Sequence, residues 1–226
     1  MFDSIAGDYD SLNHMLSLDI DKIWRKRALK RIVDAPAPVQ VLDLACGTGD
    51  FSIAIAKALS RSTGGSVTGV DLSEGMLAVM REKVRKAGLD GMISIEEGDG
   101  EALRFPDNTF DRVTIAFGIR NFEDRPKGLR EMLRVLKPGG RLVILELSRP
   151  ENPVIRWFYD LYFLHILPKI GGKVSGDKAA YAYLPASVAA FPGKKAFMST
   201  MCEAGFRNVT HKALTLGVCR MYTGEK

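Results

Sequence analysis

The chain has little of what metal and disulfide chemistry needs: three cysteines and three histidines in 226 residues. Cys46, Cys202 and Cys219 are scattered, odd in number and never spaced Cys-x-x-Cys, which excludes a disulfide framework and argues against a zinc site. Such cysteine usage suits a reducing cytoplasm. No apolar run approaches the ~20 residues a membrane-spanning helix needs, and mean hydropathy is near zero at -0.02. Met1 is followed at once by Asp3 and a polar segment, so no secretion signal is expected. There is no internal repeat or low-complexity tract, and the composition excludes disorder, collagen and coiled coil. What is present, 46% hydrophobic and 26% charged residues, is enough for one globular domain with a sizeable core.

The net charge of +5 is unevenly placed. Residues 1–150 carry 22 basic and 22 acidic groups, whereas residues 151–226 carry 10 and 5. A basic C-terminal third points to an anionic surface, lipid headgroup or nucleic acid; a merely solvated basic face reads the same way.

From residue 39 short β-branched runs alternate with helical stretches, the pattern of a parallel α/β sheet. The strand candidates are Val39–Leu44, Val67–Val70, Ile93–Glu96, Arg112–Phe117 and Arg141–Leu147. Helices are predicted near Phe51–Leu59, Glu74–Lys86 and Pro126–Leu136, the last stopped by Lys137-Pro138-Gly139-Gly140. An N-terminal helical cap over Asp19–Val33 ends at the Pro-rich boundary 34–38. After the sheet come an aromatic stretch, Val154–Leu167, and one final helix, Ala186–Ala204. Asn208–Ala213 and Gly217–Thr223 then read as a closing antiparallel hairpin. The expected organisation is one α/β domain, a doubly wound, mostly parallel seven-stranded sheet with an antiparallel edge hairpin. Residues 1–36 form its cap or lid, 37–150 its cofactor-binding core, and 151–226 an aromatic and basic part with the final helix and edge strands.

Asp43-Leu44-Ala45-Cys46-Gly47-Thr48-Gly49-Asp50 places two glycines at the carboxyl end of a buried strand, where an open α/β sheet binds its ligand. A dinucleotide fingerprint wants a third glycine where this chain has Ser52, and nothing negative facing the pyrophosphate where it has Asp50. The loop therefore favours S-adenosylmethionine, which has no phosphate and presents an ammonium group. A tight turn N-capped by Asp50 is the structural alternative. Asp71, ending the second strand, offers two acceptors and no donor to a pair of ribose hydroxyls, while the neighbouring Ser73 is the better cap for the next helix. Gly98-Asp99-Gly100, after the third strand, offers a carboxylate and a backbone N–H to an adenine.

With these residues the chain resembles the S-adenosylmethionine-dependent methyltransferases of the doubly wound class. More narrowly, it is similar to the ubiquinone/menaquinone-biosynthesis C-methyltransferases, from residue 2 to the C-terminus. The specific groups are Phe2-x-x-Ile5-Ala6-x-x-Tyr9-Asp10-x-x-Asn13 with Ser17 and Trp24-Arg25, and Phe117-Gly118-Ile119-Arg120-Asn121. Asp71-Leu72-Ser73-Glu74-Gly75-Met76-Leu77 and Phe105-Pro106-Asp107-Asn108-x-Phe110-Asp111 match as well. Carried over by position, the family's cofactor contacts fall on Thr48, Asp71, Asp99 and Gly100; Asp43, Gly47, Gly49 and Leu72, on the same strand ends, complete the set. Where some members have a serine before the Phe-Gly-(Ile/Leu)-Arg-Asn group this chain has Ala116, so no side-chain contact is expected there. Relatives usually carry a short leader before the first motif, which leaves the native start open.

The resemblance implies S-adenosyl-L-methionine-dependent C-methylation of a prenylated demethylnaphthoquinol in menaquinone biosynthesis, with the ubiquinone-pathway benzoquinol or another small molecule as alternatives. A ring carbon becomes a good nucleophile only when an adjacent phenol, of pKa ~10, loses its proton, so the site must stabilise the phenolate. Arg120 is the first candidate, because a guanidinium stays charged; an ion pair with Glu123 or Asp124 is its structural alternative. Tyr9, Asn13 and Asn121 are candidates to orient the quinol. His14, His165 and His211 are weaker candidates for a base. No divalent-metal cluster stands out, which disfavours a magnesium mechanism. Residues 154–167 read either as a groove for a prenyl tail or as an ordinary amphipathic helix. Lys169, Lys173, Lys178, Lys194 and Lys195 follow, suited to an anionic inner membrane face. An RNA or protein methyltransferase is the main rival among enzymes. It lacks support because Ala116-Phe117-Gly118-Ile119 stands where an Asn/Asp-Pro-Pro-aromatic motif belongs, and the aromatics are not interleaved with basic residues. No nucleic-acid partner is expected, and oligomeric state is open, a homodimer included.

Overall fold

A computed structural model describes residues 17, 19–34, 38–162 and 178–226. Seven strands form one sheet: β1 (Val39–Leu44), β2 (Gly65–Asp71), β3 (Ile93–Glu97), β4 (Phe110–Ala116), β5 (Leu136–Leu147), β6 (Arg207–Leu214) and β7 (Cys219–Glu225). Their order is β3-β2-β1-β4-β5-β7-β6. Neighbours among β1 to β5 pair in parallel, and β7 runs antiparallel to both β5 and β6. The α/β class, the parallel centre and the antiparallel edge are as the sequence predicts.

Helices cover both faces. On one side lie α1 (Ile20–Ile32), α2 (Asp50–Ser60) and α3 (Glu74–Lys86). Trp24, Ala28 and Ile32, spaced four apart, turn one stripe of α1 into the same core as Phe51, Ile55 and Leu59 of α2. On the other side, Leu129, Met132 and Val135 of α4 (Arg125–Val135) pack with Phe197 and Met201 of α7 (Lys194–Glu203). Between the two layers β1 is almost wholly buried, which its run Val41-Leu42-Asp43-Leu44 requires. Outside them stand α5 (Pro153–Leu161), with no buried residue, and α6 (Lys178–Ala190).

Two expectations and one structural alternative need correction. The final helix is two helices, α6 and α7, because Pro192 has no N–H to donate and disfavours a helical Phe191. Helix α4 ends at Val135, and Leu136 to Gly140 belong to β5, where Leu136 pairs with Phe110 ahead of a register shift. Asp50 does not cap α2: the cap is Gly49 at φ 83°, with no side-chain capping bond. Ser73 does cap α3, accepting from the Met76 N–H at 3.3 Å.

Candidate functional site

The strand order reverses between β1 and β4, so the chains leaving their carboxyl ends diverge and open a crevice. A cavity of about 370 Å³ lies there, lined by Ala45, Cys46, Gly47 and Thr48 after β1 and by Ala116, Phe117 and Arg120 from β4 onward. Helix α1 closes it with Ile20, Asp21, Trp24 and Arg25, α5 with Ile155, Phe158 and Tyr159, and α6 with Leu184. The backbone is strained at this place: Ala45 and Phe117 adopt φ of 48° and 63°, and Thr215, also on the cavity, 43°. Gly118 lets the two strand tips meet, since a Cβ on it would lie 2.5 Å from that of Ala45.

One wall is polar. Asp71 bridges β1 and β2, its Oδ2 accepting from the Gly47 N–H at 2.8 Å and its Oδ1 from the Ser73 N–H at 2.9 Å. Asp43 is buried and accepts from Ser52 Oγ at 2.6 Å. Burial pushes its carboxyl up to about 7, with Asp71 adding to the rise and the Ser52 bond and the Arg25 charge opposing it. Burial, then the Asp43 and Asp71 charges, also hold the Cys46 thiol well above its ordinary value. Asp50 pairs with Arg25 at 3.1 Å and with Lys83, while Arg25 also reaches Asp21 at 3.2 Å and lies 5.9 Å from the Phe117 ring centre. Ser17 Oγ donates to Asp21 at 2.7 Å, which ties the start of α1 into the same chain of charges.

The opposite wall is apolar around one ion pair. Arg120 is buried; its Nη1 donates to Glu146 Oε1 at 2.7 Å and to the Phe117 carbonyl, and its Nε to Ser187 Oγ at 3.3 Å. Its ionic partner is thus Glu146, not the Glu123 or Asp124 considered from the sequence; Asp124 instead caps α4 through the Lys127 N–H. The Tyr159 phenol on α5 is pushed above its ordinary value chiefly by burial and then by the Asp160 charge, with the Arg149 charge and, less, the Arg120 charge pulling the other way. Asn121 accepts from Tyr183 Oη at 2.9 Å.

Of the predicted residues, Asp43, Gly47, Thr48 and Arg120 line the cavity together. Asp71, Leu72, Asp99 and Gly100 follow the neighbouring strands β2 and β3, beside it rather than on it, and Gly49 and Asn121 lie one step back. Asp99 is exposed and accepts from the Glu101 N–H at 2.8 Å. A Cβ on Gly100 would strike the Phe122 ring at 2.5 Å. Tyr9, Asn13, His14, His165, Lys169 and Lys173 lie outside the described residues. His211 sits on β6 and does not line the cavity. Residue-level reasoning missed Asp21 and Arg25, though Asp21, Trp24 and Arg25 repeat at helical spacing, and Glu146, the single charge ending the apolar run Leu142–Leu145.

This sheet order with a crevice at its reversal defines a doubly wound α/β fold of the ligand-binding kind. The fold is shared with the solved structure of a SAM dependent methyltransferase from Aquifex aeolicus, with a TM-score of 0.63 and 21% identity over 88% of each chain. Within that class the chain belongs to the ubiE/COQ5 methyltransferase family, whose model matches residues 1–226. It is 49% identical over its whole length to a ubiquinone/menaquinone biosynthesis C-methyltransferase of Geobacter sulfurreducens, covering 87% of that protein. It is 46% identical, again throughout, to a demethylmenaquinone methyltransferase of Bacteroides fragilis, covering 91% of it.

Proposed function

We propose that this chain methylates a ring carbon of a prenylated demethylnaphthoquinol, with S-adenosyl-L-methionine as methyl donor. The observation that carries this reading is the pairing of walls in one cavity, acids and open backbone on one side, Arg120 and the half-buried Tyr159 phenol on the other. Family membership and the relatives' names support the same activity.

The polar wall fits the donor. A Cβ on Gly47 would meet nothing within 4 Å, so the loop backbone stands open to an approaching ligand. Asp71 presents an acceptor-only carboxylate suited to a diol, and Leu72, 68% exposed right after it, an apolar face suited to a base. Asp43 and Asp71 give this wall the negative character that favours a sulfonium. The sequence argument from Asp50 is weaker than it looked, because Arg25 and Lys83 neutralise that carboxylate. Gly47, Thr48, Asp71 and Leu72 would hold the donor, with Asp99 and Gly100 at its outer end. When bound, it supplies an electrophilic methyl group.

The chain's own residues prepare the acceptor. Tyr159 reports what happens to a phenol in this cavity: burial raises its pKa, which would leave a quinol carbon a poor nucleophile. Arg120 counters this, since its guanidinium lines the cavity and its charge favours an ionised ring oxygen beside it. Asn121 orients the ring, with Tyr9 and Asn13 from the N-terminal segment. Ile155, Phe158 and Leu184 exclude water and receive the apolar ring and the start of its tail.

Among the described residues no helix is long and apolar enough to cross a membrane. Contact with a bilayer surface is the reading that suits a prenylated substrate: Val154, Trp157 and Phe158 on α5 are 64, 62 and 60% exposed. Arg156 lies among them in sequence, whereas Lys194 is paired with Glu151. Binding to vesicles is expected to need anionic lipid and to weaken with salt; indifference to both would remove this surface.

Mass spectrometry of quinones after incubation with donor and demethylnaphthoquinol tests the reading, a gain of one methyl being expected. Radiolabel entering RNA or protein extracts, and no quinone, would overturn it. The Geobacter relative's name joins two quinone pathways, so a benzoquinol run in parallel decides between the two acceptors.

A further inference from the structure

We propose that Glu146 is a positioning residue for methyl transfer, acting through Arg120; this rests on the reading of Arg120 as the group that faces the substrate oxygen. Glu146 closes the apolar run of β5 and is 0% exposed. An ionised carboxylate at that depth is tolerated only when its oxygens are well supplied with donors. Here Oε1 accepts from Arg120 Nη1 at 2.7 Å and from the Leu147 N–H at 2.8 Å, and Oε2 from the Arg120 backbone N–H at 3.1 Å. Two of these three donors belong to one residue, gripped at its backbone and at the tip of its side chain. Arg120 follows β4 on a short 3-10 turn, Ile119–Asn121, where a long side chain has many rotamers to choose from. The grip of Glu146, with the Phe117 carbonyl also on Nη1 and Ser187 Oγ on Nε, selects the one that runs along the cavity wall.

The pairing also sets the charge. A lone guanidinium in so apolar a cavity would bind an already ionised ring tightly before reaction, and binding that is uniform through the reaction does not raise kcat. The Arg120–Glu146 pair is neutral overall, so its guanidinium edge responds chiefly to charge that develops as the phenol ionises. Loss of the Glu146 charge should tighten binding of an anion, lower the pH at which the acceptor ionises, and loosen the aim of Arg120.

The test is Glu146→Gln with Glu146→Asp beside it, each with and without Arg120→Lys. For Glu146→Gln we expect kcat at the plateau to fall at least tenfold and the rising limb of its pH profile to move to lower pH. We expect the quinol KM to change less than threefold and S-adenosylhomocysteine affinity by calorimetry less than twofold. In the R120K background Glu146→Gln should change kcat less than twofold, because a residue acting only through its partner has nothing further to lose. Equal losses in both backgrounds, an unmoved limb, or a loss of S-adenosylhomocysteine affinity matching that of kcat would overturn the role. Should Glu146→Gln not fold, Glu146→Asp decides: the charge remains, so the plateau drops while the limb stays, and a shifted limb overturns it. A wild-type chain that methylates no quinol overturns the reading of the site itself, and this role with it.

Discussion

The two walls of the cavity are built by different means. The polar wall is made of neighbouring strand ends: Asp71 reaches Gly47 across the β1–β2 pair, and Asp43 reaches Ser52 nine residues on. These bonds use backbone N–H groups or a strand side chain, while Asp50 and Asp21 are tied in by Arg25, Lys83 and Ser17 from the helices. The opposite wall is drawn together from far along the chain. Arg120 joins Glu146 across the β4–β5 pair, 26 residues away against the 24 that separate Asp71 from Gly47, but it also joins Ser187, 67 residues away on α6. One wall is a property of the fold class, the other of this chain's particular side chains. Donor binding and acceptor activation should therefore be separable by mutation.

The largest expected effect is at Arg120. Arg120→Ala should lower kcat at least ~10²-fold while S-adenosylhomocysteine affinity, read by calorimetry, stays close to wild type. It also strands Glu146 in the core, so thermal or denaturant unfolding should show a loss of about 3–5 kcal/mol. Asp71→Ala should give the opposite split. S-adenosylhomocysteine affinity is expected to drop about 10- to 100-fold, as befits losing charge-assisted bonds of roughly 1.5–3 kcal/mol each, with the quinol KM little changed. If both variants damage both ligands alike, the two walls are one unit and the comparison fails.

A smaller effect sharpens the picture of the polar wall. Asp43 has its folded pKa raised to about 7, against roughly 3.9 in an unfolded chain. The folded state then binds the proton more tightly, so the stability this group contributes is complete below the unfolded value and is lost as pH rises through about 7. Melting temperature of the wild type should decline between pH 5 and 8 by more than that of Asp43→Asn. Parallel declines would show that Asp43 ionises without cost.

How much of this was legible beforehand follows the same division. β1 was readable to the residue because Val39–Leu44 is an apolar run bounded by proline and glycine signals, and a buried parallel strand has no other appearance. The glycine loop, Asp71 and the Ser73 cap were readable because their partners lie on the next strand or in the next turn. The final helix was misread because the helix formers on either side were joined across Phe191-Pro192-Gly193, although Pro-Gly is a helix-breaking pair. The wrong partner for Arg120 had a different cause. Glu123 and Asp124 are near in sequence, whereas Glu146 is near only once β5 lies against β4.

The order of amino acids by itself determined the element types, the parallel centre with its antiparallel edge, and the acidic, glycine-lined strand tips, because each follows from periodicity and short-range hydrogen bonding. Only the tertiary structure decided which charges neutralise one another: Arg25 and Lys83 on Asp50, Glu146 on Arg120. Those pairings depend on Coulomb forces that fall with distance and strengthen with burial, and both distance and burial come into existence only when the sheet has closed and its helices have docked.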